Sequence, residues 1–423
     1  MKKKVVIIGG GTFSHVRTHL SLATPAFGNT AKSLYEKCKE KFTHMDVELI
    51  LTKMADSNSK IVTNDDVSKL VDELVNDNTV KVIFFNVAMT DFDGQIGQTK
   101  SGKYESRLES KEEGYKMWLF PADKVINKIR KLRKDIFLVG FKTTSNGTPQ
   151  EQFSKGLNLM KKSSANIVLA NDVVTHNNFI ITPEEGVYGK EMTREECLDE
   201  LVDIAYHRTH LSFTRSTVVA GDAVKWSDER VPSTLRTVIN WCVDNNAYKE
   251  FNGATTGHFA AKLGKNQFLT SIRKTNFNDI EKNGMVLVKT DGDDEVIAYG
   301  FKPSVGGQSQ RIIFDRYPET NCIVHFHCPL KEGHINAIPV VSQREYECGS
   351  HQCGENTANG LGSFGNLCCV MLDNHGPNIV FNNSIDPNEV INFIKDNFDL
   401  DKSTSGFEKV YLNLLTEKIN DRL

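Results

Sequence analysis

An α/β protein in two parts is predicted by three features of the chain. Apolar, strand-like runs alternate with segments of helical period through the first half. A glycine turn, Gly9-Gly-Gly-Thr12, closes the first of these runs, and a strand carrying two histidines, Ile323-Val-His-Phe-His-Cys-Pro329, stands in the second half. At 423 residues, 39% hydrophobic and 25% charged, the chain can bury two or three cores. Its net charge of −3 supplies no basic field, so nucleic acid and anionic membranes are not expected partners.

The elements follow in order. Val5-Val-Ile-Ile8 reads as a strand buried on both faces, and the glycines after it let backbone approach a phosphate closely, with a following helix N-terminus to favour its charge. A plain tight turn is the competing reading, because the spacing is not that of the dinucleotide fingerprint. Val47–Leu51 is apolar, Val67–Val75 has helical period, and Val80-Lys-Val-Ile-Phe-Phe-Asn86 is a second buried strand. Ile136–Lys142 and Asn166–Asp172 supply further strands, so a parallel, Rossmann-like sheet is expected. Ligands of open α/β sheets sit beyond the carboxyl ends of the strands, which directs Asp91, Lys142, Asn171 and Asp172 to one crevice; turn and cap roles are the alternative for Asn171 and Asp172.

The basic start, Met1-Lys-Lys-Lys, precedes an apolar run too short for a signal peptide, and no stretch is long enough to span a membrane, so a cytoplasmic location is expected. Nine cysteines, an odd number without a framework spacing, fit reduced thiols. Thr193-Arg-Glu-Glu196 reads as a capping box opening a helix from Met192 to Ala205, and Val218–Pro232 as a packed linker. Asp386-Pro387 is a helix start, and Gly406–Leu423 has helical period.

Several pieces of the first half together resemble the phosphopantothenoylcysteine synthetase family, over roughly residues 1–215: Gly9-Gly-Gly-Thr12 with Val16-Arg17, Val87-Ala-Met-Thr-Asp-Phe92, Val139-Gly-Phe-Lys142 and Ala170-Asn-Asp172. That family joins a carboxylate to cysteine through a nucleotide-activated acyl intermediate. The resemblance implies that Gly9, Gly10, Gly11 and Thr12 hold nucleotide phosphates, and that Asp91, Phe141, Lys142 and Asn171 line the nucleotide. It also implies that Lys100 or Lys103 meets the activated phosphate, with CTP or ATP and Mg2+ as cofactors. Two motif positions differ: Leu22-Ala-Thr-Pro-Ala-Phe-Gly28 stands in place of the family's Asn-x-Ser-Ser-Gly, and Phe141-Lys-Thr-Thr-Ser145 lacks the family's Glu.

In the second half, His325 and His327 are two apart on a strand and therefore share a face. His375 ends another apolar run, Cys368-Cys-Val-Met-Leu-Asp-Asn-His-Gly-Pro377, and three neutral imidazoles leave one position of a tetrahedral ion open, the arrangement of a catalytic zinc. Imidazoles also accept manganese or cobalt. A rival set, Cys348, His351 and Cys353, offers a structural knot.

From Trp241 to Phe381 the chain resembles the class II aldolase/adducin family, whose members share an α/β/α sandwich and a three-histidine zinc. The pieces come in the family's order: Thr255-Thr-Gly-His-Phe-Ala-Ala-Lys262, Phe268-Leu-Thr-Ser271, Lys302-Pro-Ser304, His325 with His327, and Asn374-His-Gly376. The resemblance implies phosphate-binding roles for Thr256, Gly257, Ser271 and Ser304, and places His258 where the family has Asn. Gly306 stands where the aldolases carry their acid/base Glu, so Glu345 and Glu347, placed as in the family's dehydratases, are the candidate proton-transfer groups; solvated surface charges are the alternative.

Three functions are expected, the first ahead of the other two. The first is a two-part enzyme in which a nucleotide-fold domain (1–217) is joined by a linker (218–232) to a zinc domain (233–423). That zinc domain acts as lyase, epimerase or dehydratase on a small phosphorylated sugar or hydroxy acid. The second is a nucleotide-dependent ligase with an accessory second domain, and the third an adducin-like scaffold. By resemblance to both families the chain is expected to be a homo-oligomer.

Overall fold

The computed structural model describes residues 2–110, 114–292, 295–333 and 338–409. The chain is an α/β protein of two compact units. One contains the residues up to Asn146, Lys155–Ile181 and Tyr188–Thr209. The other contains Gly147–Ser154, Thr182–Val187 and the described residues from His210 onward.

The first unit is organised on a seven-stranded sheet. In spatial order its strands are Val187–Tyr188, Asn178–Ile181, Ile167–Asp172, Phe137–Thr144, Val80–Ala88, Lys4–Gly11 and Asp46–Leu51. The five from Ile167–Asp172 to Asp46–Leu51 pair in parallel, while Asn178–Ile181 runs antiparallel at one side. Parallel strands carry cover on both faces, which is why Val5 through Ile8 are all fully buried and the run shows no alternation. On one face, Ala31, Leu34 and Cys38 of helix Asn29–Lys41 and Leu198, Leu201 and Ala205 of helix Arg194–Arg208 pack on Val5, Ile7, Phe84 and Val139. Helices Asn64–Asn76 and Arg194–Arg208 both open with complete capping boxes, on Thr63 with Asp66 and on Thr193 with Glu196.

One element differs from expectation. The glycines do not turn after the first strand: Gly9, Gly10 and Gly11 are its last residues, opposite Asn86, Val87 and Ala88, and no helix follows directly; a hairpin of Phe13–Arg17 and Leu20–Ala23 intervenes, and the next helix begins at Asn29. The hairpin's first strand is anchored at its end, where Val16 and Arg17 are both buried and Arg17 donates to the carbonyls of Ile96 and Thr99.

The second unit holds a sheet whose central strands, Met285–Thr290, Gln267–Ser271, His258–Gly264, Cys322–His325, Gly376–Phe381 and Leu367–Leu372, are antiparallel neighbours in that order. Arg215–Val219, within the stretch read as domain end and linker, is a strand pairing in parallel with Glu295–Tyr299. Period-two alternation divides the core. Cys322, Val324, Phe259, Ala261, Ile379 and Phe381 face helices Ser233–Asp244 and Pro387–Asn397. Ile323, Ala260 and Val380 face the opposite way, against Ile312 and Ile313 of helix Gln308–Arg316. His325 and His258 share the parity of Ile323 and Ala260, so the alternation sends both imidazoles toward that second face. Helix Pro387–Asn397 starts as expected, with Asp386 capping Asn388 and Pro at its first position. The helical pattern of Gly406–Leu423 lies outside the described residues from 410 onward.

Candidate metal centre

His325 is the last residue of its strand and sits opposite His258 on one neighbour and Asn378 on the other. His327 follows two residues on, beyond the ladder, with its ring 5.1 Å from that of His325. His375 arrives from a turn that only glycine permits: Gly376 has φ +143°, and a Cβ there would stand 2.0 Å from the carbonyl oxygen of Phe326. This close approach brings the His375 ring to 4.6 Å from His325 and 4.9 Å from His327. The three are 1%, 6% and 2% exposed, and one ligand atom of each lies within 4.8 Å of the others. Among the described residues no other group of His, Cys, Asp and Glu converges in this way.

The donor set fits a divalent ion. Burial pushes the His325 pKa down to about 4, so its imidazole is neutral at pH 7 and carries a lone pair. Its Nδ1 lies 2.7 Å from the carbonyl of Pro377, which fixes Nδ1–H as donor and turns Nε2 inward. That Nε2 is 3.2 Å from Nε2 of His375, close to the roughly 3.3 Å that separates two nitrogens on a tetrahedral zinc at 2.0–2.1 Å. A fourth histidine, His258, stacks 4.7 Å from His325 and is held neutral by burial; its Nδ1 takes a hydrogen bond from Gln310 at 3.2 Å. It is outside the converging set.

Around the histidines the structure joins some expected residues and separates others. Ser271 and Ser304, both buried, meet hydroxyl to hydroxyl at 2.9 Å. Gly257 has φ +116°, and a Cβ would come within 2.5 Å of the His325 carbonyl, so this turn lies directly against the strand that carries His325. The Thr256 hydroxyl donates to the carbonyl of Lys249. Glu347 is buried and Glu345 half-buried, and neither joins the converging ligand atoms. The rival Cys348, His351, Cys353 knot does not form: Nδ1 of His351 faces Gln308 at 2.8 Å, and Cys353 accepts from Gln343. Burial, with Cys353, Glu184 and Glu347 nearby, holds the Cys348 thiol well above its ordinary range, so it is a poor source of thiolate.

Sequence reading missed one charged pair. Lys409 Nζ lies 2.6 Å from Glu185, both side chains almost fully buried, and 3.3 Å from the Thr256 hydroxyl. Partners more than 150 positions apart leave no local pattern to read.

In the first unit the expected residues gather at one end of the sheet but differ in what they face. Gly10 has φ +100°, and a Cβ would meet the Thr52 hydroxyl at 2.2 Å; one on Gly11 would meet the Thr24 carbonyl at 2.1 Å. The glycines, Gly9 included, are thus required by the chain's own packing. Thr12 is fully buried, donating to Asn64 at 2.7 Å and accepting from the Thr90 N–H at 3.0 Å. More open groups line the same edge. Asp91 pairs with Lys124, and burial lowers the pKa of Lys142, with Asp91 opposing that shift. Phe141 is half-buried. Asn171 accepts from Thr143 and lines a cavity of about 540 Å³ with Asp172, His176 and Arg194. Lys100 and Lys103 are exposed, on a segment pinned along Phe13–Arg17 through Gly102 and Glu105.

Comparison with known proteins bears on both units. Residues 242–331 match the Class II Aldolase and Adducin N-terminal domain. The matched stretch contains Thr256, Gly257, Ser271, Ser304, His325 and His327; His375 lies beyond it. The chain is also 26% identical over 179 residues to the Coenzyme A biosynthesis bifunctional protein CoaBC of Methanocaldococcus jannaschii, a stretch covering 41% of each protein. Among solved structures, the DNA/pantothenate metabolism flavoprotein from Streptococcus pneumoniae aligns with a TM-score of 0.41 and 19% identity, over 48% of this chain and 97% of the other. YgbL of Escherichia coli, described as a possible aldolase/epimerase/decarboxylase, aligns with 0.28 and 16%, over 39% and 86%. The architecture is therefore two-part, aldolase-II-type and CoaBC-like. No described helix is long and apolar enough to cross a membrane.

Proposed function

We propose that this chain is a two-part metabolic enzyme whose first part, Rossmann-like and spanning about residues 1–217, carries out nucleotide-dependent ligation of a carboxylate to an amine. The likeness to CoaBC carries this reading. The carboxylate attacks the α-phosphate of CTP or ATP, pyrophosphate leaves, and the amine then displaces the nucleoside monophosphate from the acyl carbon. Asp91, Phe141, Lys142 and Asn171 line the nucleotide at the carboxyl edge of the strands, and Lys100 or Lys103 neutralises phosphate charge beside Mg2+. Gly9, Gly10, Gly11 and Thr12 act by holding the shape of that edge. The test is pyrophosphate release from CTP and ATP supplied with small phosphorylated carboxylic acids and cysteine-like amines. Multiple-turnover release that depends on both co-substrates and falls at least tenfold in Lys142→Met supports the reading, and no release with either nucleotide rejects it.

A second reading is favoured by the three converging imidazoles. In it, the part from about residue 233, an α/β/α aldolase-like domain, holds a divalent metal, zinc by donor chemistry, on His325, His327 and His375. The metal would supply Lewis acidity toward a carbonyl or hydroxyl of a small phosphorylated substrate. Thr256, Gly257, Ser271 and Ser304 bind the phosphate, and Glu345 or Glu347 moves the proton that Gly306 cannot. Metal content of protein purified without added metal tests it. About one zinc per chain, lost in His325→Ala and His375→Ala, is expected; an unmetallated wild type after zinc is supplied rejects it. Both readings place the protein in the cytoplasm as a homo-oligomer.

A further inference from the structure

His327 and His375 come from segments far apart in sequence, and both stand outside the paired strands, where no ladder fixes their backbone. One residue ties them together. The Thr404 N–H donates to the carbonyl of His327 at 3.2 Å, and its hydroxyl donates to the carbonyl of His375 at 3.0 Å. The stretch that delivers Thr404 is anchored at each end. Asp399 N–H donates to the Pro329 carbonyl and Lys331 N–H to the Asn397 carbonyl; beyond Thr404, Gly406 closes a turn on Ser403, and Lys409 forms the buried pair with Glu185. Residues 399–409 thus form a strap across the backbone of two of the three histidines, reaching on to the Thr256 turn.

We propose that Thr404 is a positioning residue of the three-histidine centre, setting the separation of His327 and His375 through both of their carbonyls; the inference rests on the metal reading above. A ligand held only by its turn can drift by fractions of an ångström, and a centre of three imidazoles loses affinity when one ligand drifts. Thr404 removes that freedom for two ligands with a single residue, using a donor from its main chain and one from its side chain. Valine at this position keeps the shape and the N–H but deletes the bond to His375.

The experiment is the zinc dissociation constant of the full chain, measured by competition with a chromophoric chelator, for wild type, Thr404→Val and Thr404→Ser, with thermal unfolding of each metal-free protein alongside. Expected are an affinity loss of about tenfold or more in Thr404→Val, near wild-type affinity in Thr404→Ser, and metal-free melting temperatures that stay together. Wild-type affinity in Thr404→Val overturns the role of Thr404 alone. Equal losses in Val and Ser variants overturn it as well, because the hydroxyl would then not be the cause. A wild type that takes up no zinc overturns the metal reading itself, and the positioning role with it. If Thr404→Val does not fold, Thr404→Ala removes the same bond and is read in the same way.

Discussion

The strand edge of the first unit and the histidine edge of the second both end in motifs that suggest ligand binding, yet they spend their atoms differently. At Gly9–Thr12 the close approaches that glycine permits are taken up by Thr24, Ala31 and Thr52, and the Thr12 hydroxyl is shared between Asn64 and Thr90. At His325, His327 and His375, the Pro377 carbonyl engages Nδ1 of His325 and Thr404 donates to the backbone carbonyl of His375, while one ligand nitrogen of each ring converges with the others. A backbone motif is therefore weak evidence of a site until its neighbours are known, whereas converging side-chain donors form a group capable of holding a metal ion.

The comparison can be broken most forcefully at the buried charges of the second unit. Lys409→Met leaves the Glu185 carboxylate, 1% exposed, without its ammonium, and should destabilise the fold by about 3–5 kcal/mol in chemical denaturation. A loss below about 1 kcal/mol would show that the pair is not held as described.

Acid should discriminate between the histidine edge and the rest. In the fold His325 has its pKa lowered to about 4 from an ordinary 6.5, so between those values the unfolded chain binds a proton that the folded chain refuses. Stability of the metal-free protein should therefore fall as pH drops from about 6.5 to 4, by roughly 3 kcal/mol from this residue, and His258, shifted the same way, adds to the effect. His325→Asn should flatten the slope of unfolding free energy against pH over that window. An unchanged slope would place His325 in a wetter setting.

At the glycine edge the effect should be smaller and independent of ligand. Gly11→Ala forces a methyl toward the Thr24 carbonyl and should cost about 1–3 kcal/mol in the absence of any nucleotide. Intact stability with impaired nucleotide binding would instead make Gly11 a ligand contact, and the two edges would be alike after all.

Much of this was legible in the chain. The buried run Val5–Ile8 declares a strand with both faces covered, because nothing polar interrupts it, and Thr193 with Glu196 announces a helix start, because a capping box needs only four consecutive residues. His325 and His327 could be assigned to one face because the strand period is two. Bringing His375 to them was inferred from a turn signal and a family likeness; what accomplishes it is the absence of a Cβ at Gly376 against Phe326. The Cys348, His351, Cys353 alternative was disfavoured by the lack of a second Cys pair at short spacing, and the structure shows His351 and Cys353 partnered elsewhere, at Gln308 and Gln343.

Local order, strand parity and helix starts were determined by the sequence itself, since each depends on interactions across a few residues. The tertiary structure decided which motif leaves its donors converging, how Thr404 straps two distant histidines, and that Lys409 meets Glu185. Those contacts join positions tens to hundreds of residues apart, and no periodicity along a chain encodes a meeting that only packing brings about.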